Sequence, residues 1–221
     1  KLLLENGAAV DGLQQPGLTA LHFAAGSGHK AIVDLLLAKG AKPGAQTGGG
    51  VTALHLAARK GYESVAKALL AAGAQVNART TAIETRDYPG TALAYLLTTA
   101  GQTPLHLAAA AGYAGLVESL LAKGAEVNLA DEAGRTPLSY AVDKHYLPVA
   151  QLLVAAHANP NAGSSHLPLT LAAFYGDMPA LKLLLANGAD PNLSTKLSAD
   201  YYNRVHGLTS IGGNATALTA A

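Results

Sequence analysis

The sequence has no cysteine in 221 residues. That excludes a disulfide scaffold, a thiol nucleophile and any zinc site built on thiolates. Aromatic residues are scarce at 5%, and charged residues make up only 13%. Neither sign of charge is in excess, because 15 Lys+Arg stand against 14 Asp+Glu for a net charge of +1. A protein that grips duplex nucleic acid carries a basic surplus, so this balance argues against nucleic acid as a partner. Low net charge with 50% hydrophobic residues is the reverse of a disordered composition. No apolar run approaches the roughly 18 residues of a membrane-spanning helix. The missing cysteines bear less on compartment. They lean toward a secreted, periplasmic or thermophile setting, and the composition leans bacterial, with a bacterial cytoplasm left open.

What the chain has in abundance is alanine, 47 residues, and leucine, 37, together 38% of the whole. They recur in a pattern. Thr19-Ala-Leu-His22, Thr52-Ala-Leu-His55, Thr103-Pro-Leu-His106, Thr136-Pro-Leu-Ser139 and Thr216-Ala-Leu-Thr219 share one core, and Leu167-Pro-Leu-Thr170 is a degenerate copy. Successive first residues lie 33, 51, 33, 31 and 49 apart, so the unit is 33 and the two long intervals hold insertions of 18 and 16. A second half repeats too. The run from Ile32 to Ala41 (IVDLLLAKGA) matches that from Leu116 to Ala125 (LVESLLAKGA) and that from Leu181 to Ala189 (LKLLLANGA).

This pattern closely resembles the ankyrin repeat, with its Thr-Pro-Leu-His core followed by Leu-Leu-x-x-Gly-Ala-x-Val-Asn. The resemblance covers almost all of the chain outside the insertions. It implies an all-α solenoid of stacked helix-turn-helix units joined by hairpin loops, two of them enlarged. Local chemistry agrees. Pro104, Pro137 and Pro168 sit where a helix starts, a position that tolerates a missing N–H. The first helix of a unit ends near Gly28, Gly61, Gly112 or Gly176. The second carries apolar residues at i, i+3 and i+4, as in Val65, Ala68 and Leu69. Gly40, Gly73, Gly124 and Gly188 then supply a left-handed stop, and His157 stands in that place once, which predicts a strained turn. One unit cannot bury its apolar face alone, so neighbours must stack.

The repeats run over about 18–50, 51–101, 102–134, 135–165 and 166–214, with partial units at 1–17 and 215–221, as one array. Because each partial unit lacks its other half, the expectation is a segment cut from a longer chain. The insertions cover about 80–100 and 194–214. Threonines, Ile83 and Tyr95 around the turn signal Asp87-Tyr88-Pro89-Gly90 predict a lengthened hairpin, with a short helix over 92–97 as the rival. Gly207, Gly212 and Gly213 predict an irregular second insertion, which holds Tyr201, Tyr202 and Arg204. Long insertions cost little stability, so both are either tolerated loops or recognition fingers.

His22, His55 and His106 are the obvious catalytic or metal-binding candidates, but they occur once per repeat at equivalent places. The resemblance implies a structural role: each bonds the Thr of its own motif and the backbone of the next repeat. The glycine-rich stretch over 44–50 lacks the Lys-Ser/Thr of a phosphate loop. No nucleophile elbow or zinc-protease motif occurs. Two Asn-x-Ser/Thr patterns, at Asn192 and Asn214, fit chance. The expectation is therefore a non-catalytic scaffold with no cofactor and no metal.

The resemblance also implies a concave face made of first helices and fingers, with variable contacts after the Leu-Ala-Ala stretch and before the Thr. Here those positions hold Arg59 and Lys60, Asp143 and Lys144, Phe174 and Tyr175, and in the turn Glu132 and Arg135. With Tyr88, Tyr95, Tyr201, Tyr202 and Arg204 they form the candidate partner surface. Phe174 and Tyr175 stand out, because aromatics and Arg supply most interface hot spots. The partner is a protein, which includes further copies of the same chain. Two alternatives stay open: a self-assembly module of a large oligomer or filament, and a regulatory or targeting arm of an enzyme lying elsewhere.

Overall fold

The computed structural model describes residues 17–82, 99–164 and 166–193. The chain divides into two compact units, Lys1–Glu126 and Val127–Ala221. The insertion residues 83–98 and 194–214, with the hairpin and helix alternatives for the first, lie outside the described residues. So do the partial units at 1–16 and 215–221.

The first unit holds three helical hairpins among its described residues. They are α1 (Ala20–Gly26) with α2 (Lys30–Ala38), α3 (Ala53–Lys60) with α4 (Glu63–Ala71), and α5 (Pro104–Ala111) with α6 (Ala114–Leu121). The second holds two: α7 (Pro137–Asp143) with α8 (Leu147–Ala155), and α9 (Pro168–Phe174) with α10 (Met178–Ala186). Within each unit, first helices pack on first helices and second on second, in two layers. All ten described elements are α-helices.

The threonine-histidine pair explains why each first helix starts where it does. Thr52 is extended, its hydroxyl accepts the backbone N–H of His55, and its own backbone N–H donates to His55 Nδ1 at 3.1 Å. The reciprocal bonding satisfies two of the donors a helix start leaves open, with histidine in the place usually held by Glu. Thr103 with His106 and Thr136 with Ser139 repeat the box. Leu167, at the degenerate copy, makes no side-chain cap, and Pro168 in the first turn of α9 needs no N–H partner.

The core is leucine against alanine. Leu54, Leu69 and Leu120 in the first unit, and Leu138, Leu153 and Leu184 in the second, are wholly buried. Each contributes about 1.5–3 kcal/mol by leaving water. Ala57, Ala58, Ala108 and Ala109 are equally buried, and their small size lets successive first helices approach closely. Of the pair Leu120 and Leu121, only the former is buried.

Asparagine clamps adjacent repeats together. Asn77 donates to the Gly124 carbonyl at 3.3 Å and accepts the Glu126 N–H at 2.9 Å. Asn161, two repeats on in the sequence, donates to the Gly188 carbonyl and accepts the Asp190 N–H. Asn128 does the same with His157 and Asn159. The second helix of one repeat thus has its orphan carbonyls satisfied by the repeat before it.

Tyrosine on glycine is the other inter-repeat contact. Tyr62 lies so close to Gly28 that a Cβ there would sit 2.8 Å from its ring, and Tyr113 leaves 2.6 Å at Gly61. At the equivalent place in the second unit the residue is His145, left-handed at φ 58°. The facing tyrosine is correspondingly absent and Asp177 takes its place, 3.1 Å from His145 Nδ1. Glycine with tyrosine has been exchanged for histidine with aspartate. His157 is left-handed as well, at φ 64°, as its position in the repeat predicts.

Candidate functional site

Each first helix ends by delivering two residues to the same place in its repeat. In the second unit these are Asp143 and Lys144 from α7, and Phe174 and Tyr175 from α9. The turn before α7 adds Arg135 and Glu132. Five of these six residues come together.

Asp143 is the hub. Its side chain is only 3% exposed, and it is met by Lys144 Nζ at 3.1 Å and Arg135 Nη2 at 3.7 Å. The Tyr175 hydroxyl, from the next repeat, donates to Asp143 Oδ1 at 3.1 Å. The Phe174 and Tyr175 rings meet edge to face, their centres 4.9 Å apart. The His145 ring also meets Tyr175, again edge to face at 4.9 Å. The result is a half-buried aromatic pair whose polar end is anchored to a buried carboxylate. Lys144, 53% exposed, is the charged group left at the rim.

Arg135 is held from below. Its backbone N–H donates to Asp131 Oδ1 at 2.9 Å, and its guanidinium lies 4.9 Å over the Tyr140 ring. The Tyr140 hydroxyl in turn donates to Asp131 Oδ2 at 2.7 Å. His166 is buried in this group, and its pKa falls to about 4. Burial is the main cause and the Arg135 charge adds to it, against an opposing pull from Asp143 and Asp131.

The expected residues fall in different places. Asp143 is buried and acts on its neighbours, so it presents little of itself to solvent. Glu132 is exposed, while Arg135, Phe174 and Tyr175 are half-buried. Arg59 and Lys60 end α3 in the first unit, half-buried and exposed respectively. Tyr88, Tyr95, Tyr201, Tyr202 and Arg204 lie outside the described residues. Sequence reasoning missed Asp131, Tyr140, His145, His166 and Asp177. One signal was available: His145 occupies the place that Gly28, Gly61, Gly112 and Gly176 hold in the other repeats.

The repeated histidines are fully employed in structure. His22 Nδ1 takes the Thr19 N–H at 3.2 Å, which leaves the proton on Nε2 to donate to the Val51 carbonyl at 3.1 Å. His55 does the same between Thr52 and the Gln102 carbonyl. His106 accepts from Thr103 at 3.1 Å. Burial pushes the His55 pKa down to about 4 and also lowers that of His22, so both are neutral imidazoles near neutral pH. Among the described residues, no group of three or more His, Cys, Asp or Glu side chains could hold a metal ion. Nor is any described helix long and apolar enough to cross a membrane.

Comparison with known proteins adds the family context. A profile described as ankyrin repeats (3 copies) matches residues 1–80, 88–164 and 105–195. The chain is similar to human NF-kappa-B inhibitor epsilon, 37% identical over 101 residues, which is 40% of this chain and 20% of that protein. It is similar to the mouse B-cell lymphoma 3 protein homolog, 39% identical over 98 residues, 42% of this chain and 21% of that one. It also resembles mouse Rabankyrin-5, at 48% identity over 59 residues, 27% of this chain and 5% of the other. The matched stretches thus span about a fifth or less of these relatives.

Proposed function

Because the chain belongs to the ankyrin-repeat family, a fold that serves as a protein–protein interaction module, we propose that it is a non-catalytic scaffold. It takes its protein partner on the concave face formed by first helices and loop fingers. The contact residues are Phe174, Tyr175, Lys144, Arg135 and Glu132 in the second unit, with Arg59 and Lys60 in the first. Tyr88, Tyr95, Tyr201, Tyr202 and Arg204 of the insertions extend it.

The observation that carries this reading is the anchored aromatic pair. Tyr175 is fixed at its hydroxyl by Asp143 and meets the Phe174 and His145 rings in edge-type contacts. A ring held this way loses little conformational freedom when a partner arrives, which lowers the cost of association. Aromatic anchors beside a rim of charge are the usual composition of interface hot spots. The relatives' names include inhibitors of NF-kappa-B, which supports a protein as the ligand class here.

The test is affinity capture with the purified chain and with its Phe174→Ala/Tyr175→Ala variant, read by quantitative mass spectrometry. A protein enriched by the parent should lose at least roughly tenfold in the variant, given that hot-spot truncations cost about 2 kcal/mol or more. Equal enrichment by the two chains removes the aromatic pair from the site.

A further inference from the structure

The first unit carries a basic site of a different kind. Its three described first helices, α1, α3 and α5, have the sequences ALHFAAG, ALHLAARK and PLHLAAAA. They contain no carboxylate, and their only charged side chains are Arg59 and Lys60. The carboxylates of the unit's described residues lie elsewhere, and three of the four have partners. Asp34 pairs with Lys30 and Glu63 with Lys67, both on second helices. Glu118 belongs to a second helix too, and Glu126, just beyond it, accepts a bond from Asn77.

Arg59 is half-buried, and burial lowers its pKa with no opposing contribution from an acid among the described residues. A guanidinium that gives up water without gaining a carboxylate is a cost to the fold. Cations do favour a helix C-terminus, where Arg59 and Lys60 sit, and that would account for them if the position required it. It does not. The same two places hold Gly26 and Ser27 at α1, and Ala110 and Ala111 at α5. On the helices either side of α3 these two places therefore hold only small residues.

We infer that Arg59 and Lys60 are a docking site for an acidic peptide segment, whose carboxylates pair with the guanidinium and ammonium while its backbone lies over the small residues of α1 and α5. Arg59 supplies a planar, two-pronged donor that fits a carboxylate, and Lys60 a mobile point charge at the rim. A nucleic acid is the poorer fit, because phosphate-backbone binding draws on about 6–10 cations and these helices supply two. The inference rests on the protein-scaffold reading above and names the partner chemistry for its Arg59 and Lys60, apart from the aromatic pair that carries that reading.

The experiment is fluorescence anisotropy with a labelled poly(Glu,Ala) copolymer, its poly(Lys,Ala) counterpart and an oligothymidine. The poly(Glu,Ala) probe should bind and weaken with added salt. Arg59→Glu/Lys60→Glu should weaken it by at least about tenfold, and the neutral Arg59→Gln/Lys60→Gln pair by less. Thermal unfolding confirms that both variants fold, as the Gly-Ser and Ala-Ala versions of this position already do. Lys182→Glu, at an exposed cation of α10 outside either proposed site, should leave poly(Glu,Ala) binding unchanged. Equal binding of poly(Lys,Ala), tighter binding of oligothymidine, or indifference to charge reversal each overturns the inference. A captured partner lost with Phe174→Ala/Tyr175→Ala yet indifferent to charge reversal at α3 would sink this site and leave the scaffold reading standing. A partner lost with neither would sink the scaffold site as well.

Discussion

The two units obey the same repeat and spend it differently. In the first, every described first helix is opened by Thr-x-x-His, and tyrosine lies on glycine between repeats. In the second, serine and threonine replace the histidine, His145 and His157 replace turn glycines, and Asp177 replaces the tyrosine. A buried group of acids, arginine and aromatics is present only there among the described residues. The departures from the repeat surround the residues expected to touch a partner. Regular positions build the array, and irregular ones mark where it has been adapted.

Core truncation should be the largest effect and should not distinguish the units. Leu120→Ala in the first and Leu153→Ala in the second each remove a wholly buried side chain. Each should cost about 2–5 kcal/mol in urea unfolding monitored by circular dichroism. A clear inequality would show that one unit relaxes around a cavity and the other does not.

Acid should act on both units through different histidines. His55 and His166 each have a folded pKa near 4, below the ordinary 6.5. Between those values the unfolded chain takes up a proton that the folded chain refuses. Their contribution is therefore present above about pH 6.5 and lost as pH falls toward 4, with a slope of up to roughly 1.4 kcal/mol per pH unit for each group. Denaturant midpoints measured across that range should fall with pH. His55→Gln and His166→Gln should each flatten the fall, and a midpoint that holds steady would contradict the burial of both rings.

Glycine against histidine sharpens the contrast further. Gly61→Ala forces a Cβ into a left-handed backbone and onto the Tyr113 ring, and should cost about 1–3 kcal/mol. The reverse change in the second unit, His157→Gly, relieves a left-handed non-glycine residue and should raise stability by about 1 kcal/mol, read as a higher Tm. The Asn128 bond to this residue goes to its backbone carbonyl, so the substitution keeps it.

How far the sequence could be read follows from the same contrast. Periodicity exposed the helix starts, the left-handed stops and the strain at His157, because each is a local demand repeated at a fixed interval. The role of His22 and His55 came with the family resemblance, and the bonds to Val51 and Gln102 bear it out. The network around Asp143 was not legible. Its partners Arg135 and Tyr175 lie 8 residues before and 32 after, brought together by stacking that no local pattern encodes. Asp143 looked like a surface contact because the family resemblance places variable contacts at its repeat position, and only packing reveals that it holds its neighbours. The asparagine clamps escaped notice for a related reason: an Asn after Gly-Ala-x-Val reads as a turn residue until the facing carbonyl is in view.

Those clamps have a mechanical corollary. Within each unit an asparagine side chain reaches the adjoining repeat and goes no further, so one junction can part while the next stays bonded. Stretched from its end, such an assembly would peel in steps of a single hairpin, and each step could reseal against the hairpin still in place.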